Sequence, residues 1–338
     1  MSKTVNVAVV GATGAVGETM LKILAERQFP IGTLTVLASE RSAGGKVEYG
    51  ARQLVVQDLA TFDPNGIDIA LFSAGGSVSK EYAPKFAAAG AVVIDNSSVF
   101  RGDADVPLVV AEVNPEAARH RPRGIIANPN CSTMQLMVAL APIHRAVGIE
   151  RINIATYQSV SGTGRRALEE LGRQTAALLN FQDPRPEVYP VQIAFNVIPH
   201  GGDFLDNGYT SEEMKLVWET RKILGDDSIQ VNATVVRVPV FYGHSEAVHI
   251  ETRRKITAAD ARALLEAAPG VEVVDERAAG GYPTPVTHAS GNDPTYVGRI
   301  REDISHPRGL DLWVVSDNIR KGAALNAVQL AELVLGER

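Results

Sequence analysis

Two hydrophobic periodicities alternate along the first third of the chain. Short apolar runs at residues 5–10, 35–37, 67–73, 91–94, 107–110 and 124–127 have the length of buried strands. Residues 15–27 and 79–89 repeat apolar positions three and four apart, which predicts helices. Strand and helix in alternation predict a parallel, doubly wound sheet. Beyond residue 131 the pattern changes. Residues 151–158, 231–240, 244–255, 271–274, 296–301 and 310–316 predict strands, several with clear alternation, and Phe241-Tyr242-Gly243 reads as a tight turn. Helices are predicted at 165–179, 211–224 and 258–267. A mostly antiparallel sheet with helices on one face follows. The last amphipathic run, 321–335, predicts a helix that returns to the first domain.

The turn after the first strand carries glycines. Gly11-Ala12-Thr13-Gly14-Ala15-Val16-Gly17 stands between a strand and a helix. Glycines there let backbone approach a pyrophosphate, and the helix N-terminus offers N–H donors to it. The spacing is GxxGxxG, and its position at the first strand of the alternating pattern gives it weight. The loop after the second strand holds Ser39, Arg41 and Ser42, a cation and two hydroxyls suited to a 2′-phosphate, beside Glu40. The alternative is an exposed polar loop. The expected fold is α/β: a Rossmann-type dinucleotide-binding domain, residues 1–130 with 318–338, and an α+β domain, residues 131–317, with a largely antiparallel sheet.

Composition narrows the class. The 338 residues are 45% hydrophobic and 21% charged, and the net charge is -6. That predicts a soluble protein with neither a nucleic-acid nor a membrane-surface partner. A single cysteine forms no internal disulfide, which suits a reducing cytoplasm. The sequence shows no metal-ligand motif, leader or membrane-spanning stretch.

That cysteine is Cys131, in Asn128-Pro129-Asn130-Cys131-Ser132-Thr133, between an apolar strand-like run and a helix-like one. Near a helix N-terminus the thiolate is favoured, and a thiolate is a nucleophile for acyl carbons. A lone cysteine is more often a small buried hydrophobe; the polar frame favours the nucleophile. Other chemistry follows downstream. Arg237 and His244 flank the Phe241-Tyr242-Gly243 turn, and histidine exchanges protons at neutral pH. Arg237 alone reads equally as a partner for a nearby carboxylate. Glu212 and Lys215 lie one helical turn apart, which from spacing alone reads as a solvated pair. Gln158, before Ser161-Gly162-Thr163-Gly164, is an amide at a strand end. Arg101, after Asn96-Ser97-Ser98-Val99-Phe100, is placed to bind an anion.

Together these segments resemble the aspartate-β-semialdehyde dehydrogenase family over nearly the whole chain. The cysteine segment and Arg237-Val238-Pro239-Val240-Phe241-Tyr242-Gly243-His244-Ser245-Glu246 carry the likeness, and residues 206–215 look closest to a Gram-positive-like branch. The resemblance implies NADPH-dependent reductive dephosphorylation of L-aspartyl-4-phosphate to L-aspartate 4-semialdehyde and phosphate. That step belongs to lysine, threonine, methionine and isoleucine biosynthesis. It implies Cys131 as nucleophile, His244 as acid/base group and Gln158 as an orienting amide. Arg237 would hold the α-carboxylate, Glu212 the ammonium, and Arg101 and Lys215 the phosphate; Asn130 would assist the oxyanion. The cofactor cradle would comprise Gly11, Thr13, Gly14, Ala15, Val16, Gly17, Ser39, Arg41, Ser42, Ser73, Gly75, Ser161, Gly162 and Asn318. The second domain would also be the dimerisation domain, giving a homodimer or a dimer of dimers. Three readings compete: N-acetyl-γ-glutamyl-phosphate reductase, phosphorylating glyceraldehyde-3-phosphate dehydrogenase, whose Ser-Cys-Thr-Thr-Asn signature is absent, and a non-catalytic NADP-binding sensor.

Overall fold

A computed structural model describes residues 4–337, which divide into two compact units: residues 4–130 with 323–337, and residues 131–322. In the first unit the chain runs β1 (Val5–Val10), α1 (Ala15–Glu26), β2 (Ile31–Ala38), β3 (Lys46–Tyr49), β4 (Arg52–Val55), β5 (Gln57–Asp58), β6 (Ile69–Phe72), α2 (Gly76–Ala88), β7 (Val92–Asp95) and β8 (Ile125–Ala127). Six strands form one sheet in the order β5-β2-β1-β6-β7-β8, every pair parallel. β3 and β4 form a separate hairpin. The strand order reverses at β1 and β6, so the crevice beyond their carboxyl ends is where such a sheet receives a ligand. Met20, Leu21 and Leu24 of α1 pack with Val7, Val9 and Ile69 in the core. The C-terminal helix Asn326–Gly336 joins the same core through Val328, Ala331 and Val334.

Residues 107–110 are not a strand. Leu108 makes one isolated parallel bridge to Ala127. The ladder stops because the next residue of the facing segment, Pro129, has no N–H to give, and the Ala111 N–H donates to Asn326 Oδ1 at 2.9 Å instead. The last helix also differs from expectation: a π-helical turn, Arg320–Leu325, precedes the α-helix. The division falls at residue 323 and not at 318. The reason lies in residues 318–322, where Asn318 bonds to Ser159, Ser161 and Gly243 of the second unit.

The second unit contains α3 (Cys131–Val147), β9 (Ile149–Gln158), α4 (Arg165–Leu179), α5 (Ser211–Leu224), β10 (Gln230–Arg237), β11 (His244–Thr252), α6 (Ala258–Glu266), β12 (Val271–Val273), β13 (Thr295–Glu302) and β14 (Gly309–Ser316). Its sheet has the order β10-β9-β11-β14-β13-β12. The inner pairs are antiparallel, while β10 with β9 and β12 with β13 are parallel. The sheet is therefore mixed. A parallel neighbour needs a crossover connection, and α4 and α5 lie between β9 and β10. Strands β10 and β11 stop at Arg237 and Thr252, short of the predicted ends.

Alternation decides the two faces of this sheet. In β9, Ile152, Ile154, Thr156 and Gln158 are buried, while Asn153, Ala155 and Tyr157 between them are half-buried. α3 packs on the sheet between α5 and α6 and is buried on almost every side, as its all-round apolar sequence requires. α5 starts at a capping box in which Thr210 and Glu213 bond reciprocally, and Gly225 ends it in the left-handed region at φ 65°.

Candidate active site

In the first unit, β1 leads into Gly11 and α1 starts after Gly14, whose position carries no side-chain cap. The first-turn N–H groups of α1 are thus presented to a ligand rather than to a side chain. Gly11 has φ +85°, and a methyl there would stand 2.3 Å from the Ser73 carbonyl oxygen at the end of β6. A methyl on Gly17 would stand 2.2 Å from the Gly11 oxygen. Both glycines are needed for strand, turn and helix to close this tightly. A cavity of about 450 Å³ opens at the turn. Gly11, Thr13 and Gly14 form one side, Ser39, Arg41 and Ser42 the other, with Ser73 between. Glu40 and Asp58 also line it. The residues fit a dinucleotide: glycine backbone and a helix start for the pyrophosphate, one guanidinium and two hydroxyls for a ribose phosphate. Gly75 caps α2 at φ 90°.

In the second unit, Cys131 is the first residue of α3 and is half-buried. A helix N-terminus is a position that favours a thiolate over a thiol. Gly322 lies against it: a methyl there would stand 2.8 Å from the Cys131 Cβ. The next residue, Ser132, accepts a hydrogen bond from Gln158 Nε2 at 2.8 Å, so the end of β9 is tied to the start of α3. Arg237 ends β10 in register with Gln158, and His244 starts β11 in register with Ser316. One edge of the mixed sheet thus collects Gln158, Arg237 and His244.

The tautomer of His244 follows from its partners. The Ser159 N–H donates to His244 Nδ1 at 3.0 Å. A ring nitrogen that accepts a backbone N–H carries no proton, so the neutral ring holds its proton on Nε2. Burial first, and the Arg237 charge second, hold this histidine well below its ordinary 6.5. Nε2 meets no protein partner among the described residues. Gly162 leaves the space: a methyl there would approach His244 Nε2 at 3.3 Å and Arg237 Nη1 at 3.2 Å. Arg237 Nη1 donates to the Ser159 carbonyl at 2.7 Å. Asn318 Oδ1 accepts from Ser159 Oγ at 3.0 Å, Ser161 Oγ at 3.1 Å and the Gly243 N–H at 2.9 Å. One buried amide therefore fixes both loops beside His244.

Glu212 and Lys215 pair with each other at 2.6 Å on the first turn of α5, with side chains 14% and 26% exposed. The pair is partly buried and not the solvated one that spacing alone suggests. In the first unit, Arg101 Nη2 donates to the Asn96 carbonyl at 3.0 Å and Asn130 is buried. The sequence reading missed Ser132, Ser159 and Gly322. Ser132 and Ser159 adjoin residues it singled out; Gly322 carries no local signal, because only the fold brings it to Cys131.

Comparison with known proteins decides the lineage. The semialdehyde dehydrogenase NAD binding domain matches residues 6–121, and the semialdehyde dehydrogenase dimerisation domain matches residues 140–321. The aspartate-semialdehyde dehydrogenase of Legionella pneumophila is 62% identical over all of this chain and 97% of its own length. The chain belongs to the aspartate-semialdehyde dehydrogenase family. A crystal structure of aspartate semialdehyde dehydrogenase II from Vibrio cholerae, complexed with ASA, superposes with a TM-score of 0.97. It is 56% identical and the match covers 99% of each chain. Within the family the Gram-positive-like placement is not supported. The Bacillus subtilis aspartate-semialdehyde dehydrogenase is 52% identical, with 98% of each chain covered, below the Legionella relative.

Proposed function

We propose that this chain catalyses the reversible NADPH-dependent conversion of L-aspartyl-4-phosphate to L-aspartate 4-semialdehyde and phosphate. The observation that carries the mechanism is the start of α3, where the single cysteine adjoins a serine bonded to Gln158, on the sheet that carries His244. The Cys131 sulfur attacks the acyl carbon, and the carbon–oxygen bond to phosphate breaks, leaving a thioester. NADPH, held at the Gly11–Gly17 turn, would supply the hydride for reducing this thioester. The resulting thiohemiacetal on Cys131 collapses, the carbonyl reforms, and the thiolate departs.

His244 enters as a donor. Its proton sits on Nε2, where it serves the developing oxyanion and the sulfur as the carbon–sulfur bond breaks. The Ser159 N–H opposes a proton on Nδ1. The thiolate therefore owes its stability to the helix start rather than to a cysteine–imidazolium pair. Arg237 is assigned the α-carboxylate, for which a planar fork is suited. Glu212 is assigned the ammonium, Arg101 and Lys215 the phosphate, and Asn130 the oxyanion. Arg41, Ser39 and Ser42 are assigned the 2′-phosphate, Ser161, Gly162 and Asn318 the nicotinamide end. We place the enzyme in the cytoplasm as a homodimer, with a dimer of dimers as the larger assembly. The sheet face of half-buried Ala155, Tyr157, Ala247 and Trp313 is assigned to the partner copy.

The test is an assay in the reverse direction with L-aspartate 4-semialdehyde, phosphate and NADP, following NADPH. Phosphate-dependent turnover blocked by thiol alkylation supports the reading. Turnover only with N-acetyl-L-glutamate 5-semialdehyde refutes it.

A further inference from the structure

Strand β11 carries a carboxyl group that the mechanism does not use. Glu246 lies two residues after His244, on the same buried face as Val248 and Ile250, and is completely buried. Its cross-strand neighbours are Thr156 on β9 and Val314 on β14. Above it stands Gln135 of α3, one turn after Cys131 and also fully buried. The Gln135 amide nitrogen faces the His244 carbonyl at 3.4 Å. Both Glu246 oxygens, the Gln135 Oε1 and the Thr156 Oγ1 lack a well-formed partner among the described residues.

An ionised carboxylate does not complete this set. It adds two acceptors without a well-formed donor to a set that already holds the unpartnered Gln135 Oε1. No cation among the described residues acts on it; the Gln135 amide favours the charged form, and burial outweighs it. Burial raises its pKa well above the ordinary carboxyl value. An unpaired charge is strongly disfavoured at a fully buried site. One proton gives this set a donor.

We propose that Glu246 is a neutral acid that acts as a positioning residue for His244. Its O–H donates to Gln135 Oε1, and its other oxygen accepts from the Thr156 hydroxyl. The amide is then held with its NH2 toward the His244 carbonyl. The turn that carries His244 is thereby locked to the helix that carries Cys131. The proposal rests on the reading that these two residues perform the chemistry.

Three variants and one spectrum test it. Glu246→Gln keeps a donor for Gln135 and should retain kcat within about twofold. Glu246→Leu keeps the volume and removes the donor; kcat should fall by about tenfold or more with KM little changed, because misplaced catalytic groups lose rate rather than substrate affinity. Gln135→Leu should lose kcat to the same degree, and the Glu246→Leu/Gln135→Leu double variant no further. If Glu246→Leu does not fold, Glu246→Gln and Gln135→Leu decide. Infrared difference spectra of wild type against Glu246→Gln at neutral pH should show the carbonyl stretch of a protonated carboxyl. A missing band overturns the proposal, as does wild-type kcat in folded Glu246→Leu. A large loss in folded Glu246→Gln also overturns it, since the charge would then be required. If the wild-type protein does not turn over the semialdehyde, the functional reading fails while the spectrum still decides the protonation of Glu246.

Discussion

Gly322 sets how closely the chain approaches Cys131, and Gly322→Ala puts that to a quantitative test. A methyl at residue 322 stands 2.8 Å from the Cys131 Cβ and 3.2 Å from its Cα, whereas ordinary contact begins at 3.4 Å. The obstructing atoms are backbone and Cβ, so no side-chain rotation relieves the clash. Taking 3.4 − 2.8 Å, one partner must retreat by about 0.6 Å. Overpacking of a tight site costs about 1–3 kcal/mol of stability. A misplacement of about 1 Å costs on the order of a hundredfold in rate. A shift of this size should therefore lower kcat about tenfold, or ~1.4 kcal/mol of barrier. Cys131 is the only cysteine, so the rate of iodoacetamide labelling reports on its sulfur alone. In Gly322→Ala both turnover and labelling rate should change, while NADP binding stays within about twofold, because the glycine cradle belongs to the other unit. A folded variant with wild-type turnover and labelling refutes the reasoning.

Other variants separate the roles. Cys131→Ala should bind NADPH as wild type does and lose turnover; appreciable residual reduction contradicts the covalent route. Arg41→Ala should weaken NADP binding more than NAD binding, by about tenfold, one guanidinium–phosphate contact being worth ~1.5–3 kcal/mol; equal losses in titrations of both dinucleotides mean the loop does not read the 2′-phosphate. Asn318→Ala leaves the buried Gly243 N–H without its acceptor and should cost about 1–3 kcal/mol in denaturant unfolding along with kcat; loss of neither refutes its part in holding the loops. For His244 the folded pKa lies below 6.5, so the unfolded chain takes up the proton first as pH falls. The stability tied to the neutral ring is complete above about 6.5 and is lost as pH drops through that value toward the folded pKa; thermal melts should lose stability more steeply with acid for wild type than for His244→Asn, and parallel curves contradict it.

The sequence disclosed the parts of this molecule whose signals are local. The glycine turn could be placed because strand, Gly11 and α1 are contiguous. The Cys131 segment could be placed because Asn128-Pro129-Asn130 interrupts two apolar runs. The strand partners could not, since pairing joins residues far apart: no local feature of residues 230–237 indicates that β10 runs parallel to β9 rather than antiparallel. Residues 107–110 misled for a related reason. Their composition suits a strand, but the Asn326 side chain takes the Ala111 N–H that would have continued the ladder. Glu246 was legible in principle. Period-two alternation puts it on the face of Val248 and Ile250, and a carboxyl on a buried face asks for an explanation. Its partners Gln135 and Thr156 were not, because they come from a helix and another strand.

Six of the unpartnered buried polar atoms described in the second unit divide by what would complete them. Asn318 already has its loop partners, so it works as a fixed part. His244 Nε2 and Arg237 Nε have none among the described residues, and Gly162 keeps side-chain bulk away from this pair. A donor on the imidazole and a donor on the guanidinium are what an oxyanion and a carboxylate require. Glu246, Gln135 and Thr156 form a second unsatisfied set, but these are side chains of α3, β9 and β11 facing the sheet–helix core, where no substrate needs to reach. There a proton suffices, because a carboxyl group can be donor and acceptor at once. Unsatisfied buried groups are rare in native proteins. One set asks for a ligand and the other for a proton, and His244 belongs to both: its ring to the first, its carbonyl to the second. If His244 performs the proposed chemistry, its ring and its support meet in a single residue, and perturbing Glu246 should register in kcat although it touches no reacting atom.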